Sequence, residues 1–277
     1  MRRIALAVLV VVTCIGVVAV AGCTKSEPAV VLEPQVAPPT IGTAGVLRAA
    51  IDLDYPPFAG TDKGRQAGLD IDVAAALAAE LGLKLEVVEA KDRGLPELKA
   101  GNADIAMSVP FTEQAIIEAT FAGTYVNDGP GFFVSAEETG SVVETLTIDS
   151  VGGMTIGAQK DSEAFWALKY EYGEGTVQSF ASLREALQAL SDGSVEAVCG
   201  DSIVAAYIAR DFPSVRYAGQ AGTATALGVA VAVDNTELEG AVRQALDTLA
   251  ANGVLETLRK KWVGELPELV VEEESAQ

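Results

Sequence analysis

Short runs of β-branched and apolar residues alternate with helical segments along most of this chain. Residues 83–88 alternate apolar and polar side chains with the two-residue period of a strand, whereas Val73, Leu77 and Leu81 recur at helical spacing. Such alternation is typical of α/β folds with mostly parallel sheets flanked by helices. The pattern extends from residue 46 to residue 233 and belongs to a folded part of roughly 220 residues. Because this exceeds what one compact core usually holds, we expect two lobes.

The first predicted strand, over residues 46–53, ends abruptly and carries polar side chains to its end. Pro56-Pro57 cannot donate the hydrogen bonds of a strand ladder, so the strand stops near Asp54. Ligands of open α/β sheets bind just beyond the carboxyl ends of the strands. We therefore predict that Asp52 and Tyr55 contact a ligand, and we interpret Asp54 as a solvated turn residue.

The N-terminus predicts export. Arg2 and Arg3 precede an uninterrupted apolar run over residues 4–21, which is the pattern of a signal peptide. The run ends in Val20-Ala21-Gly22-Cys23, and small residues before a cysteine resemble the bacterial lipobox, in which the cysteine is lipidated. We predict a signal peptide over residues 1–22 and a lipid on Cys23, which places the protein on the periplasmic or cell-surface side of the membrane. A transmembrane anchor is the alternative, although the run is barely long enough for one.

The segments that flank the fold are predicted to be extended. Residues 23–44 contain four prolines, at 28, 34, 38 and 39, with few large apolar residues, so we expect a tether between the lipid and the fold. Residues 265–277 include three successive glutamates at 272–274 and are predicted to be an acidic, solvated tail.

The charge of the chain excludes some partners. The sequence has 19 Lys and Arg against 39 Asp and Glu, a net charge of -20, which becomes -22 once Arg2 and Arg3 leave with the signal peptide. Nucleic acid is therefore not expected as a partner. An anionic membrane surface would repel the chain as well, so the lipid itself must anchor it. The excess acid favours cationic ligands, although solubility explains it equally well.

Groups for catalysis and metal binding are scarce in this sequence. It contains no histidine, which excludes Ser-His-Asp and Cys-His catalytic sites and histidine metal ligands. Cys199 is the cysteine left after Cys14 and Cys23 are assigned to the signal peptide and the lipid, and we predict that it is a small buried residue. Asp52-Leu53-Asp54 and Asp70-Ile71-Asp72 lack the further ligand and glycine of a calcium loop. We predict no cofactor, no metal and no enzymatic activity.

A set of segments occurs here in a characteristic order and spacing. They are Asp52 to Phe58, Gly68 to Val73, Leu95 to Leu98 with Asp104-Ile105, Gly153 to Gln159, Ala186 to Gly193, Val195 to Val198, Asp201 to Tyr207 and Gly253 to Trp262. The set resembles the family 3 extracellular solute-binding proteins, which are the amino-acid-binding receptors of ABC importers. The resemblance spans about residues 45–264.

The resemblance implies a two-lobe fold of the type II periplasmic-binding-protein kind. Residues 45–130 with 226–264 would form lobe one, and residues 131–225 would form lobe two. Two chain crossings between them would act as a hinge that lets the lobes close around a ligand. The resemblance also implies ABC permease subunits as partners, and we expect a monomer.

By the same resemblance, Asp201 would hold the ammonium group of the ligand, and Asp52 and Tyr55 would be contacts from lobe one. Asp201 is also a helix N-cap, and one of its oxygens could cap the helix while the other binds an amine. The carboxylate half of the family site differs, because Ala115 stands where the family has an arginine and Asp161-Ser162-Glu163 replaces a loop that donates amides.

Two explanations of this difference remain open. Either Lys91 or Lys160 replaces the arginine, or the ligand has no carboxylate, and we favour the second. An amine-bearing ligand would suit Asp52, Tyr55, Asp161, Glu163 and Asp201 together. Acidic residues at a helix start are equally well explained as caps. The wall of the site would be completed by Ser108, Phe111, Thr112 and Ser162, of which Thr112 is also a candidate cap.

We therefore predict an extracytoplasmic, lipid-anchored receptor that captures a small polar, amine-bearing solute for an ABC transporter. Two alternatives stay open. One is a carboxyl-dependent, dehydratase-like enzyme on the same scaffold, in which Glu163 or Glu171 would be the acid. The other is a ligand-free interaction or sensor module.

Overall fold

A computed structural model describes residues 33–136, 143–173 and 175–271 of this chain. The predicted signal peptide, Cys23 with residues 24–32 of the tether, and residues 272–277 of the tail lie outside the described residues. The described parts of the predicted tether and tail are not extended and solvated, because their apolar side chains Val36, Ile41, Leu266 and Leu269 are buried against the fold. Within the described part, no helix combines the length and the apolar character needed to cross a membrane.

The described residues alternate strands and helices, as the sequence predicts. The strands are β1 (Val46–Ile51), β2 (Gly60–Asp62), β3 (Arg65–Ala67), β4 (Lys84–Glu89), β5 (Ile105–Pro110), β6 (Thr120–Asp128), β7 (Pro130–Ser135), β8 (Ile156–Gln159), β9 (Val177–Phe180), β10 (Ala197–Asp201), β11 (Val215–Gln220) and β12 (Thr225–Val231). The helices are α1 (Leu69–Glu80), α2 (Leu95–Lys99), α3 (Glu113–Glu118), α4 (Glu163–Tyr172), α5 (Leu183–Ser191), α6 (Ser202–Ala209), α7 (Thr236–Ala251) and α8 (Val254–Val263).

Two five-stranded sheets organise the molecule. The first sheet has the order β4-β1-β5-β12-β6, and the second has the order β11-β7-β10-β8-β9. In the first sheet β12 runs against its neighbours, and in the second sheet β7 does. The other four strands of each sheet share one direction, which confirms the prediction of mostly parallel sheets flanked by helices.

Each sheet is buried on both faces, as expected of sheets built largely from parallel strands. In the first sheet, Leu47 and Ile51 of β1 pack with Leu77 of α1 and Val242 of α7, while Ala50 points into a separate apolar cluster. The second sheet follows the same rule. Its clusters lie against α4 on one face and against α5 and α6 on the other. Cys199 of β10 is fully buried and free, and burial raises the pKa of its thiol to about 12, as expected for a packing residue.

The chain passes between the two sheets at two places. The first passage follows β6, where Gly129 separates the last residue of β6 from the first residue of β7. The second passage is residues 221–224, which join β11 to β12. Both passages lie where strands of the two sheets end, so they place these ends next to each other.

A close turn fixes the segment that follows β1. The backbone amides of Leu69 and Asp70 donate to the carbonyls of Pro57 and Phe58 at 2.9 and 2.8 Å. Gly68 lies at φ +154°, and a Cβ atom there would stand 2.1 Å from the Phe58 carbonyl oxygen. Only glycine fits at this position, and the close approach holds residues 55–58 against the start of α1.

Candidate functional site

A cavity of about 430 Å³ lies at the carboxyl ends of strands from both sheets. Its wall is formed by Tyr55, Arg93, Pro110, Thr112, Asp128, Gly129, Pro130, Ser162, Glu163, Ala164, Asp201, Thr223, Thr225 and Leu227. Tyr55 follows β1, Thr112 follows β5, Ser162 follows β8, and Asp128 and Asp201 end β6 and β10. The cavity therefore occupies the position in which α/β sheets bind their ligands.

Asp201 and Tyr55 meet in this cavity from different sheets. One oxygen of Asp201, Oδ1, accepts the Val204 amide at 2.8 Å and so caps α6. The other oxygen, Oδ2, accepts the Tyr55 hydroxyl at 3.1 Å. Burial, with Asp201 and Asp128 nearby, raises the pKa of the Tyr55 phenol, so it stays protonated and can donate this bond. The structure thus shows the capping role of Asp201 together with a second oxygen beside the cavity.

Asp128 provides a second carboxylate beside Asp201. Its Oδ1 accepts the Gly129 amide at 2.9 Å and the Ile203 amide at 3.4 Å, so it is held at the passage between the sheets. Burial and the neighbouring Asp201 carboxylate raise the pKa of Asp128 to about 8. Neighbouring carboxylates repel each other unless a proton or another cation lies between them.

Arg93 supplies a positive charge to the same wall. It lies in a short 3-10 helix, Asp92–Gly94, with a left-handed backbone at φ +57°. Its guanidinium lies 4.5 Å from the centre of the Tyr55 ring, and the Phe58 ring stacks parallel to Tyr55 at 4.9 Å. Arg93 forms no ion pair with any carboxylate in the described part of the chain. A guanidinium without such a partner is suited to hold a ligand carboxylate.

The remaining polar side chains of the wall are mostly helix caps. The Thr112 hydroxyl accepts the Ala115 amide at 3.4 Å, and the Ser162 hydroxyl accepts the Phe165 amide at 3.1 Å. Glu163 follows in the first turn of α4 and is exposed. The predicted cap at Thr112 is confirmed, and ligand contacts by these three residues stay predictions.

Four predicted site residues lie outside this wall. Asp52 bonds the Lys91 ammonium at 3.0 Å and accepts the Asp54 amide at 3.1 Å. Phe111 is half-exposed and packs edge-on against Phe121. Asp161 sits in an exposed turn at φ +60°. Their predicted contacts with a ligand are not supported by their positions here and stay predictions.

Ser108 is the fourth, and its side chain is buried behind the wall. Its hydroxyl bonds both oxygens of Asp70, at 2.9 and 2.8 Å, and lies 3.0 Å from the Tyr125 hydroxyl. Tyr125 also donates to Asp70 at 2.5 Å. Burial raises the pKa of Asp70 to about 6, against the effect of these two donors. This network ties α1 to β5 and β6, so a structural role accounts for Ser108.

The two lysines named as possible carboxylate partners are not among the wall residues. Lys91 pairs with both Asp52 and Asp54, at 3.0 and 2.6 Å, and Lys160 is exposed. Arg93, which is not among the predicted site residues, lines the cavity instead. In the sequence, Arg93 is the last arginine before Ala115, which stands in place of the family arginine, and the next arginine is Arg184. This order makes Arg93 a candidate to replace the family arginine.

The wall also contains three polar residues that the sequence did not predict, Asp128, Thr223 and Thr225. All three lie at or beside the passages between the two sheets, and their position depends on the path of the whole chain. The single signal for Asp128 was its place at the end of a β-rich run, just before Gly129-Pro130.

Comparison with known proteins identifies the family. The family model of the bacterial extracellular solute-binding proteins, family 3, matches residues 47–265, from the second residue of β1 to beyond the end of α8. This chain belongs to that family. It is therefore an extracellular solute-binding protein, and the resemblance read from the sequence is confirmed.

Three proteins with similar sequences or structures are informative. The putative ABC transporter arginine-binding protein 2 of Escherichia coli (strain K12) is 28% identical over 227 residues, 79% of this chain and 91% of the relative. The solved structure of an ancestral cationic amino acid solute binding protein has 29% identity and a TM-score of 0.68, covering 79% of this chain and 96% of that one. The cyclohexadienyl dehydratase of Pseudomonas aeruginosa is 40% identical over 89 residues, 31% of this chain and 33% of the relative.

Proposed function

We propose that this solute-binding protein captures a cationic amino acid and delivers it to an ABC importer. The observation that carries the proposal is the charge of the cavity wall, where Asp128, Asp201 and Glu163 face one arginine, Arg93. An excess of carboxylates around a cavity attracts a solute with more positive than negative groups. The relatives agree with this assignment, since two of them are named for arginine and for cationic amino acids.

In the pose that we propose, the ligand spans the two charged ends of the cavity. Its α-ammonium lies against Oδ2 of Asp201, beside the Tyr55 hydroxyl, and its carboxylate meets the Arg93 guanidinium. Arg93 on the wall removes the reason to prefer a ligand without a carboxylate, because neither Lys91 nor Lys160 is needed as a partner. The cationic side chain of the ligand would then extend toward Glu163 and the acidic side of the wall.

We further propose that the two lobes close around this ligand. The proposed lobes are residues 45–130 with 226–264 and residues 131–225, so that the passages at Gly129 and residues 221–224 form the hinge. Asp128, Thr223 and Thr225 stand at or beside these passages. A ligand that contacts them together with Tyr55 and Ser162 would engage both lobes at once and stabilise the closed form.

Isothermal titration calorimetry with the purified protein tests the proposal directly. We expect arginine, lysine and ornithine to bind, glutamine to bind more weakly, and glutamate not to bind, because its side-chain carboxylate would extend toward Glu163 and the acidic side of the wall. Since a receptor can retain its solute during purification, the protein is unfolded in denaturant, dialysed and refolded first. If no amino acid binds and no small molecule is released on unfolding, the proposal is wrong.

The enzyme alternative has one observation in its favour, the short segment shared with the cyclohexadienyl dehydratase. The wall of the cavity opposes it. Substrates of the prephenate type are cyclic anions, and Arg93 is the one cationic side chain among the wall residues that the structure describes. We therefore favour binding without turnover.

We also propose that a lipid on Cys23 holds the protein at the membrane. The support is the sequence of small residues before Cys23, at the end of the predicted signal peptide. In cells that express the full chain, wild type is expected in the membrane fraction and Cys23→Ser in the soluble fraction. Cys199→Ser, at a buried position, serves as the control and should stay with the membrane. If Cys23→Ser remains membrane-bound, a transmembrane anchor holds the protein instead.

A further inference from the structure

Asp128 and Asp201 form a pair of carboxylates in which each partner is held by backbone amides. Asp128 ends β6 in the first sheet and Asp201 ends β10 in the second, so the pair bridges the two sheets. In each carboxylate, Oδ1 is occupied by amides, at 2.9 and 3.4 Å for Asp128 and at 2.8 Å for Asp201. Turning either carboxylate away from the other would therefore break bonds to backbone amides.

We propose that Asp128 and Asp201 share one proton while the cavity is empty and release it when the ammonium group of the ligand takes its place. The inference rests on the proposed function and adds to it a coupling between capture and pH. It also assigns Asp128 as a second carboxylate for the ammonium, next to Asp201.

The charges around the pair agree with one retained proton. Burial and the Asp201 carboxylate are the main reasons why the pKa of Asp128 is raised. Tyr55, from the turn after β1, donates to Asp201 and stays neutral. The other charged groups on the wall are Arg93, which favours the ionised pair, and Glu163 of α4, which favours the protonated pair. The positive and negative neighbours thus offset each other in part.

An ammonium group can offset the repulsion between the two carboxylates as the shared proton does, and it forms more hydrogen bonds. It carries one positive charge and three donors, so it can bond an oxygen of each carboxylate and keep one donor for a further partner. Proton and ammonium therefore compete for the same place. The empty cavity holds a proton that the occupied cavity lacks, so lowering the pH opposes binding. With one proton exchanged, affinity falls about tenfold for each pH unit below the pKa of the pair.

Calorimetry with L-arginine between pH 5.5 and pH 7.5 measures this coupling, because the amine of free arginine stays protonated throughout this range. At each pH the titration is repeated in two buffers of different ionisation enthalpy, which gives the number of protons released. We expect about one proton per arginine near pH 6.5 and an affinity that rises roughly tenfold per pH unit from pH 5.5 to pH 7.

Two variants make the test specific. Asp128→Asn keeps an oxygen for the Gly129 and Ile203 amides but removes the second charge, so proton release should vanish and affinity should no longer change with pH. Asp211→Asn removes an exposed carboxylate that pairs with Arg184 outside the cavity, and it should behave as wild type. Arginine binding with no proton release in wild type would overturn the inference while leaving the proposed function intact.

A measurement without ligand separates the two proposals further. Carbon-13 NMR of the aspartate carboxyl groups in the empty protein should show Asp128 titrating well above the usual range of aspartate and above Asp70, the other aspartate whose pKa burial raises. In Asp201→Asn this titration should move to lower pH, because the repelling charge is gone. If arginine, lysine and ornithine all fail to bind at pH 8, the proposed function is wrong. If Asp128 titrates as an ordinary aspartate, the shared proton is wrong.

Discussion

Replacement of Asp201 by asparagine is expected to weaken arginine binding by roughly 30- to 4,000-fold at pH 8.5. The range follows from the cost of removing one partner of a buried charge pair, about 2 to 5 kcal/mol. Asparagine keeps an oxygen for the Val204 amide, which Asp201 bonds at 2.8 Å, and it is a good N-cap, so α6 should remain intact. The variant therefore removes the charge and leaves the fold. Calorimetry with L-arginine gives the change in affinity.

The matched control is again Asp211→Asn, the same exchange at an exposed position. Its side chain pairs with Arg184 at 2.8 Å outside the cavity, and exposed ion pairs contribute about 0 to 1 kcal/mol to stability. We expect its affinity for arginine to equal that of wild type. Thermal unfolding of both variants shows whether the fold is kept. Wild-type affinity in Asp201→Asn would mean that the ammonium group binds elsewhere.

The sequence predicted the fold well because strands and helices leave local patterns. The alternation around Leu83 and the helical spacing of Val73 and Leu77 correspond to β4 and α1. The errors lie at the ends of elements. The first strand stops at Ile51 and not at residue 53, because the Asp52 carboxylate accepts the Asp54 amide and starts the turn early.

The site was predicted in part, and the difference has a physical cause. Five predicted residues lie on the cavity wall because each is at or just beyond the carboxyl end of a strand, or in the first turn of the helix that follows. They are Tyr55, Thr112, Ser162, Glu163 and Asp201. Positions of this kind can be predicted from sequence. Contacts between distant segments leave no such pattern, and they decide the rest of the wall.

Ser108 and Arg93 illustrate the point from opposite sides. Ser108 lies inside β5, near its carboxyl end, but Asp70 and Tyr125 bind its hydroxyl behind the wall. Arg93 follows no strand directly, yet a left-handed turn and the Tyr55 ring place its guanidinium at the cavity. Neither position could be read from spacing, since each depends on a partner far away in the sequence.

Replacement of Arg93 by glutamine is expected to weaken the binding of arginine but not that of agmatine, two ligands that differ in one group. Agmatine is arginine without its carboxylate, so it can bind the acidic side of the cavity but offers nothing to Arg93. In Arg93→Gln we expect arginine to lose roughly 30-fold or more in affinity, since a carboxylate loses its charged partner. Agmatine should bind as well as before or more tightly, because a positive charge near the ligand cation has been removed.

The ratio of the affinities for arginine and agmatine is measured by calorimetry in wild type and in the variant. The change in this ratio isolates the contribution of the bond between carboxylate and guanidinium, as a double-mutant cycle does for two side chains. This matters because Arg93 also lies 4.5 Å from the centre of the Tyr55 ring, so its loss could disturb the wall. Such a disturbance would weaken both ligands alike. Arg65→Gln, at an exposed position in β3, serves as the control and should change neither affinity. An equal loss for arginine and agmatine in Arg93→Gln would reduce Arg93 to a support for Tyr55, and the carboxylate would then need another partner.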